Sequence, residues 1–329
     1  ASRRIHSSKR WSDSNLSLRN LPSLGKENDR LKALYPLDGR FVGSGHFTTI
    51  RACEQNGKTF AIKIFHTFKM PPREIAEIDQ EIRFLRKLDH PRIVRLLDTF
   101  RGDSDTICCV MDYFSRDLFD LIEDGGGFKQ GHYEIILQIA EGIDYLHTNG
   151  VCHRNIKSEN ILINGDGTAR NRYVVNIIDF SSAIDLDSNP GSTNHNNELV
   201  GTWGFFAPEL VTRDGSDPRA ADMWSFGCTV MELAISHGDF QRWHRRYEAI
   251  MADEHPSRVI NEDLRKELSA VIQKYEAFPV MMVIAGLLQV NIDFRLTAAD
   301  ALAWLRDDDN NTLEDDHEDA TSPCGSPLY

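Results

Sequence analysis

The hydrophobic pattern of this 329-residue chain changes once along its length, and this change limits the folds that it can adopt. Up to about residue 117, apolar residues form short runs bounded by turn residues, such as "TFAIKIF" at 59–65 and "TICCVMDYF" at 106–114, which predicts strands. Beyond that point they recur every three or four positions, as in "HYEIILQIAEGIDYLH" at 132–147, which predicts helices. The sequence therefore predicts an α+β fold with a small β-rich N-lobe and a larger, mainly helical C-lobe.

One helix is predicted inside the β-rich part. Its apolar face consists of Ile75, Ile78, Ile82, Leu85 and Leu88, which recur at helical spacing. The dipeptide "HP" at 90–91 ends it, because the residue before a proline avoids helical backbone angles.

Both ends of the chain lack the periodicity of packed elements. Residues 1–34 form a basic, serine-rich stretch, whereas 307–329 contain a run of aspartates and glutamates, so we predict two solvated tails of opposite charge. Between them we place an N-lobe with the connecting hinge at 35–114 and a C-lobe at 115–306.

Composition excludes several classes of protein. A net charge of −13 argues against nucleic acid as the main partner. The longest apolar run, "VMMVIAGLLQV" at 280–290, is too short to span a bilayer. The six cysteines show no CxxC spacing and mostly lie in apolar runs, which favours reduced, buried thiols. We therefore expect a soluble intracellular protein, cytoplasmic or nuclear, with no membrane or nucleic-acid partner.

Two features of the N-lobe fit phosphate chemistry. The sequence "GSGHF" places Gly43 and Gly45 in a predicted strand–turn–strand, where the absence of side chains lets backbone amides approach phosphate oxygens. Lys63 follows on the next strand, and Glu81 lies on the predicted helix. A lysine braced by a glutamate can hold phosphates in fixed geometry, although a strand lysine is more often a surface charge.

The later motifs extend this pattern in a fixed order. They are "HRNIKSEN" at 153–160, "IIDFSSA" at 177–183, "GTWGFFAPE" at 201–209, "ADMWSFG" at 221–227 and "NIDFRLTAADAL" at 291–302. Together with the N-lobe features, the chain resembles the eukaryotic protein kinases over about 270 residues, with Lys157 favouring the serine/threonine type.

The resemblance implies a role for each matching position. Catalytic roles fall to Lys63, Glu81, Asn155 and Lys157. The nucleotide, ATP, is expected at Val42, Gly43, Gly45, Ala61, Lys63, Met111, Asp112, Phe114, Asp117 and Leu162. Asn160 and Asp179 are the expected ligands of Mg²⁺, which prefers hard oxygen atoms. The implied partner is a protein substrate or a signalling protein.

Three residues depart from the family pattern. Thr48 replaces the third glycine of the phosphate loop, and Ser181 replaces the glycine that follows Asp179 and Phe180. Asn155 stands where the family has a catalytic aspartate, and an amide has no usable basicity at neutral pH. Asn155 is either natural or a deliberate Asp→Asn exchange.

Two functions therefore remain open. The chain is either a serine/threonine kinase with weak or absent activity, or a pseudokinase scaffold that binds Mg·ATP without phosphotransfer. An upstream kinase acting on a loop or a tail is a further expectation. The candidate acceptors are Ser188, Ser192, Thr193, Ser322, Ser326 and the serines of "SSKRWS" at 7–12.

Overall fold

The computed structural model describes residues 26–102, 105–125, 128–186, 200–212, 217–235, 237–252, 257–276 and 278–306. Within these ranges the predicted α+β architecture is confirmed, with a β-sheet lobe followed by a helical lobe. All of the candidate phosphate acceptors named above lie outside the described residues.

The N-lobe is built on one antiparallel five-stranded sheet with the strand order β1-β2-β3-β5-β4. The strands are β1 (Arg40–Ser44), β2 (Thr48–Gln55), β3 (Lys58–His66), β4 (Leu96–Arg101) and β5 (Thr106–Asp112). Asn56 and Gly57 join β2 to β3 and both have positive φ angles, of 50° and 74°. Two such residues form the tight turn whose twist suits a hairpin, and the sequence "NGK" at 56–58 is typical of such a turn.

Two helices pack on this sheet. Helix α1 is Lys26–Leu34, and helix α2 is Pro72–Lys87. In α2, Pro72 occupies the first turn, where its missing N–H costs nothing, and Ile78, Ile82 and Leu85 are buried. The predicted helix is therefore present, although it ends at Lys87, before the "HP" pair.

Helix α1 lies inside the stretch that the sequence assigns to the N-terminal tail. Leu31 and Tyr35 pack into a cluster with Ile62 and Phe100 of the sheet. The side chain of Asn28 is fully buried; its Nδ2 donates to the carbonyl of Arg101 at 3.1 Å, and its Oδ1 accepts the N–H of Arg101 at 2.8 Å. Packed structure thus begins by Lys26, whereas residues 1–25 lie outside the described residues.

The C-lobe is mainly helical. Its helices are α3 (Leu118–Glu123), α4 (Gln130–Thr148), α5 (Pro208–Thr212), α6 (Pro218–Ala234), α7 (His237–Met251), α8 (Ser257–Lys274), α9 (Val280–Leu287) and α10 (298–306). Its short strands are β6 (Arg116–Asp117), β7 (Val151–Cys152), β8 (Ile161–Asn164), β9 (Val174–Ile177) and β10 (Ile184–Asp185). The predicted face of α4 is buried throughout, at Ile135, Ile139, Ile143 and Leu146.

Helix α6 is the centre of this lobe and fixes its loops. Asp222 accepts the backbone N–H groups of His153 at 2.8 Å and Arg154 at 2.7 Å. Arg295 forms a buried, two-pronged ion pair with Glu209, at 2.6 and 2.9 Å. Such planar pairing holds both partners in a fixed orientation. The segment after β7 is therefore tied to a helix that lies almost entirely in the core.

Two further expectations concern the whole described chain. Cys53, Cys108, Cys109, Cys152 and Cys228 are all buried, as the sequence predicts, while Cys324 lies outside the described residues. Among the described residues, none of the helices combines the length and the apolar character that crossing a membrane requires.

Candidate active site

Lys63 and Glu81 form an ion pair between β3 and α2. The Nζ of Lys63 lies 2.7 Å from Oε1 and 2.8 Å from Oε2 of Glu81. Because side chains alternate along a strand, Lys63 points away from the core face that holds Ile62. Burial by itself lowers the pKa of Lys63, but the carboxylates of Glu81 and Asp179 outweigh it and raise that pKa. Lys63 therefore carries its positive charge at neutral pH.

The β1–β2 hairpin carries the predicted phosphate loop. The N–H of Gly45 donates to the carbonyl of Thr48 at 2.9 Å, which closes the turn. A Cβ added to Gly43 would meet nothing within 4 Å, so space is open there. A Cβ added to Gly45 would lie 2.6 Å from Oγ1 of Thr48. The side chain of the threonine that departs from the family pattern would thus have to shift to admit a side chain at position 45.

Strand register brings the predicted nucleotide-binding residues together in pairs. Ala61 on β3 is the register partner of Met111 on β5. Asp117 on β6 is the register partner of Leu162 on β8. Val42 lies on β1 with 41% of its surface exposed, beside an irregularity in the pairing with β2. Ala61 and Lys63 share one face of β3, since they are two residues apart.

The hinge between the lobes is braced by Asn164 of β8. Its Oδ1 accepts the N–H of Ser115 at 2.9 Å, and its Nδ2 donates to the carbonyl of Tyr113 at 3.1 Å. The predicted purine-binding residues Asp112 and Phe114 flank Tyr113 in this segment. The hinge path is therefore fixed from the C-lobe side.

Asp117 has a structural role in addition to the predicted one. Its Oδ1 accepts the N–H of Asp120 at 2.8 Å, and Oδ2 of Asp120 accepts the N–H of Asp117 at 3.3 Å. This reciprocal pattern is a capping box at the start of α3. Burial raises the pKa of Asp117. The residue that sequence reasoning assigns to the ribose thus also holds the first turn of a helix.

The catalytic loop, residues 153–160, is held by its own side chains. The Nε2 of His153 lies 2.9 Å from the carbonyl of Ile178, and the N–H of Ile178 donates to the carbonyl of Asn160 at 3.0 Å. The Nδ2 of Asn160 donates to the carbonyl of Asn155 at 2.8 Å. With its nitrogen so engaged, Asn160 has its amide oxygen left as a ligand atom.

The side chain of Asn155 is engaged at both ends. Its Nδ2 donates to Oδ2 of Asp179 at 3.3 Å, and its Oδ1 accepts the hydroxyl of Thr202 at 3.0 Å. Thr202 of "GTWGFFAPE" thus contacts the segment 153–160. The three residues meet although Thr202 lies 47 positions from Asn155.

Asp179 lies in a sharp turn next to these groups. Its φ angle is 68°, in the left-handed region that is uncommon outside glycine. The hydroxyl of Ser181 donates to its Oδ1 at 2.7 Å. Burial tends to raise the pKa of Asp179, but Lys63, the Ser181 hydroxyl and His153 together lower it. Asp179 is therefore ionised at neutral pH, as its predicted role as a metal ligand requires.

Lys157 lies two residues after Asn155 and pairs with Glu159, with its Nζ 3.3 Å from Oε1. Ser158 between them is buried, and its hydroxyl donates to Oε2 of Glu232 at 2.7 Å. Lys157 retains 17% side-chain exposure. A lysine with one exposed acidic neighbour can still exchange that partner for a phosphate.

Gln80 is a site residue that sequence reasoning missed. Its Nε2 donates to the carbonyls of Ser181 at 3.0 Å and Ala183 at 2.7 Å. These contacts link α2, which carries Glu81, to the turn that carries Asp179. The partners lie 101 and 103 positions away, so no local pattern in the sequence could have indicated them.

Comparison with known proteins agrees with this geometry. Residues 37–304 match the family described as "Protein kinase domain". The chain is 32% identical over 225 residues to a calcium/calmodulin-dependent protein kinase type II of Caenorhabditis briggsae, covering 64% of this chain and 39% of that protein. It is 32% identical over 211 residues to mitogen-activated protein kinase kinase kinase 3 of Arabidopsis thaliana, covering 61% and 30% respectively. The chain thus spans well under half the length of these relatives.

Proposed function

The chain belongs to the protein kinase family, and from this premise we propose that it binds ATP with Mg²⁺ and that Asn155 impairs transfer of the γ-phosphate to serine or threonine of a protein. The observation that carries the proposal is the Asn155 side chain, which bonds Asp179 and Thr202 among side chains that otherwise match the expected catalytic groups. The proposed partner is a protein substrate or a signalling protein.

Nucleotide binding is supported by the groups that remain. Lys63 is charged and is held by Glu81, which is the arrangement that positions phosphate oxygens. Asp179 and the amide oxygen of Asn160 are hard oxygen ligands of the kind that Mg²⁺ prefers. The open space at Gly43 leaves room above the hairpin backbone. The residues present therefore fit Mg·ATP, which would supply the phosphoryl group for transfer.

Impaired transfer is supported by the chemistry of position 155. In the family an aspartate there accepts the proton of the substrate hydroxyl, and such general base catalysis is worth about 10²- to 10⁴-fold in rate. An amide cannot take up that proton. Phosphoryl transfer nonetheless depends mainly on positioning and charge stabilisation, which the other groups retain. We therefore propose slow transfer, with a rate limited by the missing carboxylate.

A pseudokinase scaffold is the second candidate. The observation that favours it is that both polar ends of the Asn155 side chain already have protein partners. A substrate hydroxyl would have to share Oδ1 with Thr202. On this hypothesis the kinase fold binds nucleotide and a partner protein without transferring phosphate.

A phosphotransfer assay on a generic serine/threonine protein substrate distinguishes the two. Wild type is compared with Asn155→Asp. Adding Lys63→Met to each of them gives the background level of phosphate transfer. A gain of about 10²-fold or more in Asn155→Asp, abolished by Lys63→Met, supports an enzyme weakened at one position. The absence of transfer in every form supports the scaffold.

A matched control separates chemistry from charge. Asn291→Asp adds the same charge outside the predicted site residues, at a helix-capping side chain whose oxygen accepts the N–H of Asp293 at 3.1 Å. An aspartate can accept the same hydrogen bond. We expect this variant to behave as wild type. Nucleotide binding is tested separately, since Mg·ATP must raise the unfolding midpoint of a protein that binds it only when folded.

A further inference from the structure

Two of the three departures from the family pattern meet at one carboxylate. The Oδ1 of Asp179 accepts the Ser181 hydroxyl at 2.7 Å, and its Oδ2 accepts the Asn155 amide at 3.3 Å. Both oxygens of the expected metal ligand therefore have a protein donor. With an aspartate at 155 and a glycine at 181, neither donor would exist.

The amide orientation of Asn155 is fixed by Asp179, whose ionised carboxylate can only accept a hydrogen bond. Thr202 donates to Oδ1 at 3.0 Å, and the opposite orientation would place an oxygen against the carboxylate of Asp179. The backbone is held as well, because the carbonyl of Asn155 accepts from Asn160 at 2.8 Å. Electrostatics therefore require the Nδ2 group to face Asp179.

The identity of residue 155 determines whether its contact with Asp179 is attractive or repulsive. A nearly isosteric aspartate would bring two carboxylates to about the same 3.3 Å, with no proton between them. Such a pair repels, Lys63 offsets only part of the repulsion, and a divalent cation would offset more of it. Asparagine replaces the repulsion with a hydrogen bond. The network therefore supplies, from the protein itself, part of the stabilisation that a divalent cation would give.

The turn around Asp179 is held by two further contacts. Asp179 has a left-handed φ of 68°, which a bulky neighbourhood must maintain. Phe180 is fully buried, with its ring 4.9 Å from the ring of His153. Gln80 of α2 bonds the carbonyls of Ser181 and Ala183. The turn that carries the carboxylate is thus held by contacts from α2 and from His153.

We propose that Asn155 and Ser181 hold Asp179 in place through hydrogen bonds to its two carboxylate oxygens, so that nucleotide binding depends less on Mg²⁺ than it would with aspartate and glycine at these positions. This inference rests on the proposed nucleotide site and concerns its regulation by metal. Asn155 and Ser181 act here as positioning residues for Asp179.

The first measurement is ATP binding to the full chain, by calorimetry in EDTA and in saturating MgCl₂. The quantity compared between variants is the dissociation constant in EDTA divided by the dissociation constant in MgCl₂. We expect this ratio to rise at least about tenfold in Asn155→Asp, because a charge is added beside Asp179. In Ser181→Ala we expect a rise of about threefold, since a single hydrogen bond is lost.

The second measurement needs no nucleotide. It is the unfolding midpoint in EDTA and in MgCl₂. We expect the wild-type midpoint to be nearly insensitive to MgCl₂, and that of Asn155→Asp to be lower in EDTA and to rise on addition of MgCl₂. Asn155→Ala removes the donor without adding charge, so it keeps the test decisive if the aspartate variant does not fold. It should shift both readouts in the same direction by a smaller amount.

Asn291→Asp serves as the charge control and should match wild type in both measurements. Equal metal dependence in wild type and in the position-155 variants would overturn the inference. If none of the forms binds ATP, the proposed nucleotide site is wrong, and the unfolding midpoints alone then decide the inference. Unfolding that depends on MgCl₂ only in the position-155 variants supports the inference. Unfolding that does not depend on MgCl₂ in those variants refutes it.

Discussion

Lys63 and Glu81 join the sheet of the N-lobe to α2 through a pair in which one ammonium contacts both oxygens of one carboxylate, at 2.7 and 2.8 Å. The side chains retain 19% and 7% exposure, so the pair is largely shielded from water. Because α2 also carries Gln80, which bonds the turn after Asp179, a shift of this helix would change both contacts together. Formation of the Lys63–Glu81 pair is therefore linked to the contact between Gln80 and the turn after Asp179.

Breaking this pair should cost stability as well as nucleotide binding. Lys63→Met leaves Glu81 buried without its cation, and burial already raises the pKa of that carboxyl. We expect a loss of about 3 kcal/mol in the free energy of unfolding, measured by urea titration at pH 7. Adding Glu81→Leu should recover much of this stability without restoring ATP binding. A double variant no more stable than Lys63→Met would contradict this account.

The phosphate-loop hairpin should show coupling between two positions. Gly45→Ala places a methyl group 2.6 Å from Oγ1 of Thr48, so we expect a loss of about 1–2 kcal/mol in stability and weaker ATP binding. Combining it with Thr48→Gly removes the obstructing side chain and should reduce the penalty of Gly45→Ala. A double-mutant cycle on unfolding free energies measures this coupling. Additive effects would show that the clash is not the cause.

Glu232 should make stability depend on pH. Burial raises its pKa to about 7, with Glu159 adding to the shift and the Ser158 hydroxyl opposing it. The folded state then binds a proton more tightly than the unfolded state, so stability from this group is full below pH of about 4.5 and is lost as pH rises through about 7. Glu232→Gln should remove this loss and gain up to about 3 kcal/mol at pH 8.

The measurement is urea unfolding of wild type and Glu232→Gln between pH 5 and pH 8. The difference between them should shrink toward pH 5. The exposed Glu276 provides the control, because Glu276→Gln changes the same group without burial. A difference that stays constant with pH would exclude titration of Glu232 as its origin.

Asn28 should decide whether α1 stays docked. Asn28→Ala removes the two hydrogen bonds that the buried amide makes to the half-buried backbone of Arg101, at 2.8 and 3.1 Å. We expect the loss of these two hydrogen bonds to cost about 2–3 kcal/mol. Hydrogen exchange should accelerate in α1 and at Arg101 more than in the C-lobe. Asp29→Ala, an exposed change on the same helix, should leave exchange unaltered.

The sequence anticipated the elements that have a strong period. The buried face of α4 and the apolar stripe of α2 follow from spacing alone, since a side chain repeated every three or four residues must lie on one side of a helix. The hairpin at Asn56 and Gly57 follows from turn chemistry. Helix α1 was not predicted from the sequence. Among its nine residues, Leu31 is the only apolar one that is buried in the core, so the helix has no apolar period.

The candidate site divides in the same way. By itself the sequence determined the two-lobed fold and the residue types of the site, because periodicity and motif order are local properties of the chain. Only the tertiary structure decided that Asn155, Ser181 and Thr202 meet around Asp179, and that Gln80 reaches the same turn. Hydrogen bonds of about 3 Å require positions and rotamers that packing alone sets. The meaning of Asn155 therefore depends on its neighbours in space, whereas its presence was visible in the sequence.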